Sequence, residues 1–217
     1  MRNIYKLATL LIILCLCFAV TGCNSGKQKD ITKETLKNAQ VGDYVEFGNY
    51  PQTANGEIQP IKWLVLARKG KKMLVVSKYG LDAKRFDDDS NDWKDSEIRQ
   101  WLNSDFYNKA FNEKDKKFIK SFEGDKVFLL SKEDAEKYFF YDSARRCKPT
   151  DYAIKNGAMV YKNNLEKVEA GYSYWLLRTP YPSFSNSLYY VDGDGAIYFI
   201  IVQIDDVLIR PALWIKT

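Results

Sequence analysis

The side chains that could do chemistry in this chain are carboxylates, arginines, lysines and aromatic rings, because its 217 residues include no histidine. The absence of histidine removes Ser-His-Asp and Cys-His catalysis, histidine-bound zinc and histidine proton shuttles. An enzyme with this sequence would need paired carboxylates, a lysine or tyrosine base, or a carboxylate-bound metal. We therefore assign no catalytic or metal-binding residue, and we expect no cofactor.

The stretch FDDDSNDW places four aspartates between Asp87 and Asp92. Such a loop could bind Ca²⁺, which takes several oxygen ligands, or supply a carboxylate pair for glycoside hydrolysis. Neighbouring side chains in a run point in different directions, however, so three consecutive aspartates rarely converge on one ion. We favour a solvated acidic loop that caps the following helix.

The stretch YVDGDGAIYF carries Asp192 and Asp194 and copies the middle of an EF-hand loop. With Gly195 at the sixth position of that loop, Tyr190 and Ile201 would stand at positions one and twelve, where an EF-hand needs acidic ligands. β-rich runs flank the stretch, and Asp and Gly accept the positive φ angles of tight turns. We predict a hairpin turn, and a weak calcium site at the two aspartates stays open.

Aromatic residues crowd the last third of the chain, where the loop TPYPSFSNS holds Tyr181 and Phe184. Flat rings on a rigid sheet bind carbohydrates and peptides at low entropic cost. Arg178 and Arg210 each end an apolar run. They could bind an anionic or sugar ligand, but we favour arginines that satisfy carbonyls or carboxylates beside the core, and we expect Trp175 in the core. The candidate ligand-binding residues are Trp175, Arg178, Tyr181, Phe184, Asp192, Asp194 and Arg210.

The N-terminal segment predicts export. Arg2 and Lys6 precede an apolar run over residues 7–20, which is shorter than a membrane span of ~20 residues and is typical of a signal peptide. The following Val-Thr-Gly-Cys resembles the lipobox of bacterial lipoproteins, which implies cleavage before Cys23 and lipid attachment to its sulfur. An ordinary signal peptide with a chance cysteine is the alternative. We predict a lipoprotein signal peptide at residues 1–22.

The mature chain would begin with a polar, charged stretch that is poor in large apolar residues. We interpret residues 23–38 as a flexible tether and residues 39–217 as a single domain. The predicted location is the extracytoplasmic face of the cell membrane, held there by the N-terminal lipid. Cys147 would be the one cysteine left in the domain, next to Arg145 and Arg146 that could activate it. We favour an ordinary, partly buried side chain, because no histidine can act as its base.

The pattern of elements predicts an α+β fold. β-rich runs at Ile61–Ala67 and Met73–Ser77 flank a hairpin turn, and amphipathic helices follow, the first capped by Asp95 or Ser96. The last third is again β-rich. Because strands stand at both ends, we expect them to pair in one mixed or antiparallel sheet, with the helices inserted in the middle.

Ordered short motifs run from Val41 to the end of the chain. They are VGDYVEFGNYPQ, IKWLVL, the pattern W-x-x-S-x-I-R-x-W-L-N from Trp93, FYNKAF, YWLLRTP, VDGDGAI and RPALW. The ordered set resembles a bacterial family of domains of unknown function that is frequent in exported proteins and lipoproteins of Gram-positive bacteria. The ending is also similar in fold to C-type-lectin-like and formylglycine-generating-enzyme-like domains. The disulfide cysteines of the lectins and the paired active-site cysteines of the second group are missing here.

These observations predict a non-catalytic binding module on a cell-surface lipoprotein. Its ligand would be a glycan, a peptide or an envelope protein, bound by the aromatic loop Thr179–Ser187 and the neighbouring hairpin. The alternatives are an envelope hydrolase using carboxylates of the Asp87–Asp92 loop with Asp192 or Asp194, and a structural lipoprotein that docks on an envelope complex. The net charge of +5 is spread along the chain without a basic stripe, so we expect no nucleic-acid partner.

Overall fold

The computed structural model describes residues 34–217 of the chain. The predicted signal peptide, the predicted lipidation site Cys23 and most of the predicted tether lie outside these residues. Residues 34–38, the end of the predicted tether, are helical (α1), and Leu36 is buried in the core. Leu36, which lies within the predicted tether, is thus packed against the domain.

Strands occupy both ends of the described chain. In chain order they are β1 (Tyr44–Pro51), β2 (Ile58–Lys69), β3 (Lys72–Ser77), β4 (Asp82–Ala83), β5 (Ile119–Lys120), β6 (Trp175–Pro180), β7 (Ser187–Val191), β8 (Ile197–Ile201), β9 (Leu208–Ile209) and β10 (Ala212–Lys216). The helices between them are short: α2 (Glu97–Trp101), a π-helical turn (Leu102–Phe106), α3 (Tyr107–Ala110), α4 (Glu113–Lys116), α5 (Lys132–Tyr138), α6 (Asp142–Arg145) and α7 (Asp151–Lys155). The α+β class predicted from the sequence is confirmed. Within residues 34–217, no helix is long and apolar enough to cross a bilayer.

The strands form two sheets, with the orders β1-β2-β3-β10-β5 and β4-β9-β6-β7-β8. The expected pairing of early with late strands is present, since β10 lies antiparallel to β3 with Leu213 opposite Val75. We expected one sheet, and the chain makes two because it changes sheet between β9 and β10. Pro211 stands at this crossing, and a proline cannot donate to a continuous ladder. Arg210 lies beside it.

The helical middle packs on the sheets through the motif that begins at Trp93. The Ser96 hydroxyl caps α2 by accepting from the Arg99 amide, and Ile98 and Leu102 are buried. The Asn103 amide group donates to the Val127 carbonyl at 2.9 Å and accepts from the Lys126 amide at 2.6 Å. These contacts fix the helices to the segment that leads into the second half of the fold.

The same region holds a polar network under the helices. Arg99 binds Asp125 at 2.7 Å, and the Trp93 indole donates to the other oxygen of that carboxylate at 2.9 Å. Asp125 is 4% exposed, so its charge needs both donors. The polar residues of this motif therefore maintain the fold.

Candidate functional site

Arg210 is a structural residue at the crossing between the two sheets. It is 3% exposed, and its guanidinium donates to the carbonyls of Ser77 and Arg145, both at 3.0 Å. The same group lies 4.8 Å from the ring centre of Trp175 and 5.3 Å from that of Phe139. All of these partners belong to the protein, and the interpretation favoured from the sequence was of an arginine that satisfies carbonyls beside the core.

Trp175 and Arg178 on β6 also serve the interior. Trp175 is fully buried, and its indole nitrogen donates to the Arg145 carbonyl at 3.0 Å. The Arg178 guanidinium stands over the Phe122 and Phe128 rings, at 5.6 Å from each, and it lies 3.5 Å from the Asp134 carboxylate. Trp175 is thus an interior side chain, as expected, and the Arg178 guanidinium is mostly covered by protein groups.

The stretch at Asp192 forms the predicted hairpin turn between β7 and β8. The Gly195 amide donates to the Asp192 carbonyl at 2.8 Å, and the Asp194 carboxylate accepts from the Ala196 amide at 2.8 Å. The turn is packed against α6, since a Cβ built on Gly195 would lie 1.7 Å from the Asp142 carbonyl oxygen. The predicted hairpin turn is therefore a turn that packs on α6.

The Asp192 side chain belongs to a tyrosine cluster on one face of β7. Its carboxylate accepts from the Tyr161 hydroxyl at 2.8 Å, and Tyr174 donates in the same way to Asp206. Burial and these carboxylates raise the pKa of the Tyr161 and Tyr174 hydroxyls well above their usual range. Burial, with the charge of Asp192, raises the pKa of Tyr190 to about 12. These phenols stay protonated donors at neutral pH, which makes them poor general bases.

Tyr181 and Phe184 lie in an exposed stack of aromatic rings, which we call the aromatic platform. Tyr181 stacks on Phe199 of β8 with ring centres 4.1 Å apart and planes 14° apart. Phe184 stacks on Tyr181 at 5.9 Å, and Tyr189 of β7 meets Tyr181 edge-on at 5.4 Å. Phe184 is 52% exposed and Phe199 is 48% exposed. The platform is thus a set of fixed rings that face solvent.

Asn91 holds the loop that carries the platform. Its side-chain amide donates to the carbonyls of Phe184 at 2.9 Å and Ser187 at 2.7 Å. Its backbone amide donates to the Ser185 carbonyl at 3.0 Å. One residue of the acidic stretch therefore fixes the aromatic loop, so the rings of Tyr181 and Phe184 are positioned before any ligand arrives.

The platform borders an open sheet edge. β8 pairs with β7, and within the described part of the chain it pairs with no other strand. Hydrogen bonds between Asn186 and Val202 and between Asp192 and Ala196 fix the alternation of the ladder, so the amide and carbonyl of Phe199 point away from β7. An exposed apolar edge of this kind is a common place for a partner to bind.

The acidic loop does not join the aspartates of the hairpin turn. Asp87 accepts from the amides of Asp89, Ser90 and Glu97 at 3.1 to 3.2 Å, so it shapes its own loop and caps α2, as expected. This loop contacts the start of β7, whereas Asp192 follows the end of β7, five residues away and therefore about 15 Å along the strand. Within residues 34–217, no group of three or more acidic or cysteine side chains could hold a metal ion.

Cys147 is buried, at 1% exposure. Burial raises the pKa of its thiol, although the Arg210 cation acts in the opposite direction. Its sequence neighbour Arg145 turns away to donate to the Gly195 carbonyl at 2.8 Å, and Arg146 pairs with Glu169 at 3.1 Å. The thiol is therefore an interior side chain, as favoured from the sequence.

Two clefts lie away from these predicted site residues. The larger, about 710 Å³, is lined mainly by lysines at the end of the molecule where residue 37 and residue 217 meet. The smaller, about 410 Å³, lies between α2 and the segment after β8 and includes Trp101, Arg85 and Glu97. The aromatic platform is a surface and not a cleft, so a search for concavity alone would overlook it.

The sequence missed Phe199 and Asn91 as members of the platform. Phe199 stands in the run IYFII, which has apolar residues on both faces. Such a run usually indicates a buried strand, and only the position of β8 at a sheet edge exposes it. Asn91 looked like one polar residue of a loop, and nothing local distinguishes it.

Comparisons with known proteins place the chain by family. A family model described as Domain of unknown function (DUF6273) matches residues 70–217. The match begins in the β2–β3 turn, so β1 and β2 lie outside it, although the motifs noted above include them. Neither the curated proteins nor the solved structures compared with the chain gave a match. Because the match covers more than half of the sequence, the chain belongs to the DUF6273 family of domains of unknown function.

Proposed function

We propose that the domain is a non-catalytic binding module whose ligand lies on the aromatic platform. The observation that carries this proposal is the solvent-facing stack of Tyr181, Phe184 and Phe199, with ring centres 4.1 to 6.0 Å apart. Its ligand is a glycan, a peptide or an envelope protein. The proposed binding surface leaves out the hairpin turn, because the side chains of Asp192 and Asp194 form hydrogen bonds within the protein at the far end of β7.

The fixed rings of the platform favour a ligand that stacks on them. Aromatic side chains offer large contact areas with few rotatable bonds, so little conformational entropy is lost on binding. Here the rings are already packed on one another, and Asn91 fixes their loop, which lowers the ordering cost further. The outward-facing amide and carbonyl of Phe199 add hydrogen-bonding groups that an extended peptide could use.

The cellular setting is part of the same proposal. We propose that Cys23 carries lipid, that the protein stands on the outer face of the membrane, and that it belongs to a Gram-positive bacterium. The order of the chain supports a distant relation to C-type-lectin-like domains, because a tryptophan strand (β6), a glycine-containing hairpin (β7–β8) and a terminal strand (β10) follow one another.

A structural lipoprotein that docks on an envelope complex is the second candidate. It is favoured by the apolar character of the same edge, where Tyr198, Phe199 and Ile201 are each 46 to 48% exposed. Several exposed apolar side chains on one edge strand can mark a protein interface. The carboxylate hydrolase has no comparable support, because its proposed acids lie at opposite ends of β7.

A paired screen tests the proposal. The full chain in detergent is tested against a panel of glycans and peptidoglycan fragments, and in parallel it is used to capture proteins from an envelope extract. We expect a glycan or fragment to bind and to protect Tyr181 and Phe184 from labelling. Failure of the whole panel together with capture of one envelope protein would replace the leading proposal by the docking lipoprotein.

A further inference from the structure

A cleft at one end of the molecule is lined by cations from four separate parts of the chain. Its volume is about 710 Å³, and its basic side chains are Lys37, Arg68, Lys71, Lys117 and Lys216. Lys37 precedes β1, Arg68 and Lys71 flank the β2–β3 turn, Lys117 follows α4, and Lys216 ends β10. We call this cleft the basic pocket.

The lysines of the basic pocket form no salt bridge within residues 34–217, although the charge of Lys117 acts on the nearby Glu113 carboxylate. Lys37, Lys71, Lys117 and Lys216 form no ion pair with any residue between 34 and 217, and all four are exposed. Elsewhere, lysines such as Lys62, Lys116 and Lys132 do pair with glutamates. A carboxylate on Thr217, the last residue of this sequence, would offset one of the five charges. The pocket therefore keeps a strong excess of positive charge.

Arg68 makes the pocket a built feature of the fold. Its guanidinium donates to the carbonyls of Ala39 and Lys37 and to the Thr217 hydroxyl. These bonds bring the first described segment against the end of β10, and Lys37 and Lys216 line the same cleft. Five cations thus face one cleft because the backbone holds them there.

The charge of the pocket and its position near the predicted lipid anchor favour a ligand that carries phosphate. Phosphate groups are bound in proteins by clustered lysine and arginine side chains. Residue 34 lies one helical turn before Lys37, and eleven residues, Cys23 to Lys33, precede it. They reach at most about 40 Å, so a lipid on Cys23 would keep this end of the domain close to the membrane. Each lysine near an anionic bilayer surface contributes measurably to binding.

We propose that the basic pocket binds the phosphate headgroup of an anionic phospholipid in the membrane that carries the protein. The side of the domain with the pocket then faces the bilayer. This inference uses the lipid attachment of the proposed function to choose between a lipid and a free anion, but it does not depend on the aromatic platform or its ligand.

The test measures binding of soluble lipid to the full chain in zwitterionic detergent. The probes are dihexanoyl phosphatidylglycerol, dihexanoyl phosphatidylcholine and inorganic phosphate, each titrated by calorimetry. We expect phosphatidylglycerol to bind more tightly than either of the others. Its affinity should fall when salt is raised from about 50 to about 300 mM, because salt screens exposed charges.

A double variant, Lys71→Gln with Lys216→Gln, removes two cations from the pocket and leaves Arg68 in place. We expect phosphatidylglycerol to bind about 25-fold more weakly, from about fivefold for each lysine. The matched control, Lys155→Gln with Lys167→Gln, loses the same charge from exposed positions outside the pocket and should bind as the parent does.

Three results would overturn the proposal: no binding of phosphatidylglycerol, equal binding of phosphatidylcholine or inorganic phosphate, or equal losses in the two double variants. The substituted lysines are exposed, so melting temperatures should match that of the parent, and the salt dependence of the unmodified chain gives a readout without any variant. None of these results changes the expectation for the aromatic platform, whose ligand is measured separately.

Discussion

Replacement of Arg210 by alanine should strongly destabilise the domain. The side chain is 3% exposed and donates two hydrogen bonds at 3.0 Å to the carbonyls of Ser77 and Arg145. Each bond from a charged donor contributes about 1.5 to 3 kcal/mol, and the desolvated stacking on Trp175 and Phe139 contributes about 2 kcal/mol. Truncation also leaves a cavity between the sheets.

Two opposing effects reduce the sum. Removal of Arg210 relieves the cost of burying its charge, and the Arg145 carbonyl keeps a second donor, the Trp175 indole at 3.0 Å. We therefore expect a net loss of about 3 kcal/mol. For a domain of this size, this loss lowers the melting temperature by about 6 to 12 °C.

The assay is the melting temperature of the full chain, followed by circular dichroism, with expression yield recorded alongside. Arg210→Lys should fall between the parent and Arg210→Ala, since one ammonium cannot reach both carbonyls and stack as a guanidinium does. Arg85→Ala is the matched control: Arg85 is 43% exposed in its side chain and pairs with Asp88 and Glu97 on the surface, where ion pairs contribute little to stability. A melting temperature of Arg210→Ala within about 2 °C of the parent would refute the structural role, and a simultaneous loss of ligand binding would make Arg210 a ligand residue.

Three further predictions concern the turn and the loops. Gly195→Ala should abolish stable folding, because its Cβ would lie 1.7 Å from the Asp142 carbonyl oxygen. The control Gly56→Ala has a positive φ of 80° but open space around it, so it should lower the free energy of unfolding by only about 1 kcal/mol. Equal melting temperatures for the two variants would contradict the steric argument. Asn91→Ala should speed hydrogen exchange at the amides that follow Phe184 and weaken platform ligands several-fold, whereas unchanged exchange would show that Asn91 does not hold the loop. Burial acts to raise the pKa of Asp87, but the backbone amides of its loop outweigh this effect and lower the pKa below the ordinary 3.8. The stability that Asp87 adds is therefore present above pH 3.8 and is lost as the pH falls through the pKa of the folded state. The difference in melting temperature between the parent and Asp87→Asn should shrink from pH 7 to pH 3, and a constant difference would contradict this.

The fold class followed from local patterns, and the sheet boundary did not. The runs at Ile61–Ala67 and Met73–Ser77 carry strong β propensity around a turn, so their pairing in β2 and β3 is local and visible in the sequence. The division into two sheets depends on the chain crossing at Arg210 and Pro211, where strand-like residues continue on both sides of the proline. Which strands pair across that crossing is decided by contacts far apart in sequence.

The candidate site was predictable from the sequence only where local composition decides whether a side chain is exposed. Tyr181 and Phe184 stand in a loop rich in Pro and Ser, a composition that indicates surface, and they are on the platform. Tryptophan and arginine are common in binding sites, which made candidates of Trp175, Arg178 and Arg210. Their burial depends on Phe139, Phe122 and other residues far away in the sequence. Residue type alone cannot separate an arginine that stacks on core rings from one that faces a ligand.

If the aromatic platform is the ligand-binding surface, removal of its exposed rings must weaken binding. Affinity for any ligand found in the screen is measured for the parent chain, for Phe184→Ser with Phe199→Ser, and for Phe140→Ser with Tyr141→Ser. The last pair removes two rings that are 87% and 75% exposed at the end of α5.

We predict that loss of the Phe184 and Phe199 rings weakens binding of the platform ligand about tenfold or more, from about 0.5 to 1.5 kcal/mol for each aromatic contact. We also expect the control pair to bind normally. Loss of the three ring contacts of the platform lowers the melting temperature by several degrees, so affinities are compared well below the melting transition of every variant. Unchanged affinity without the platform rings, or an equal loss in the control pair, would contradict the claim.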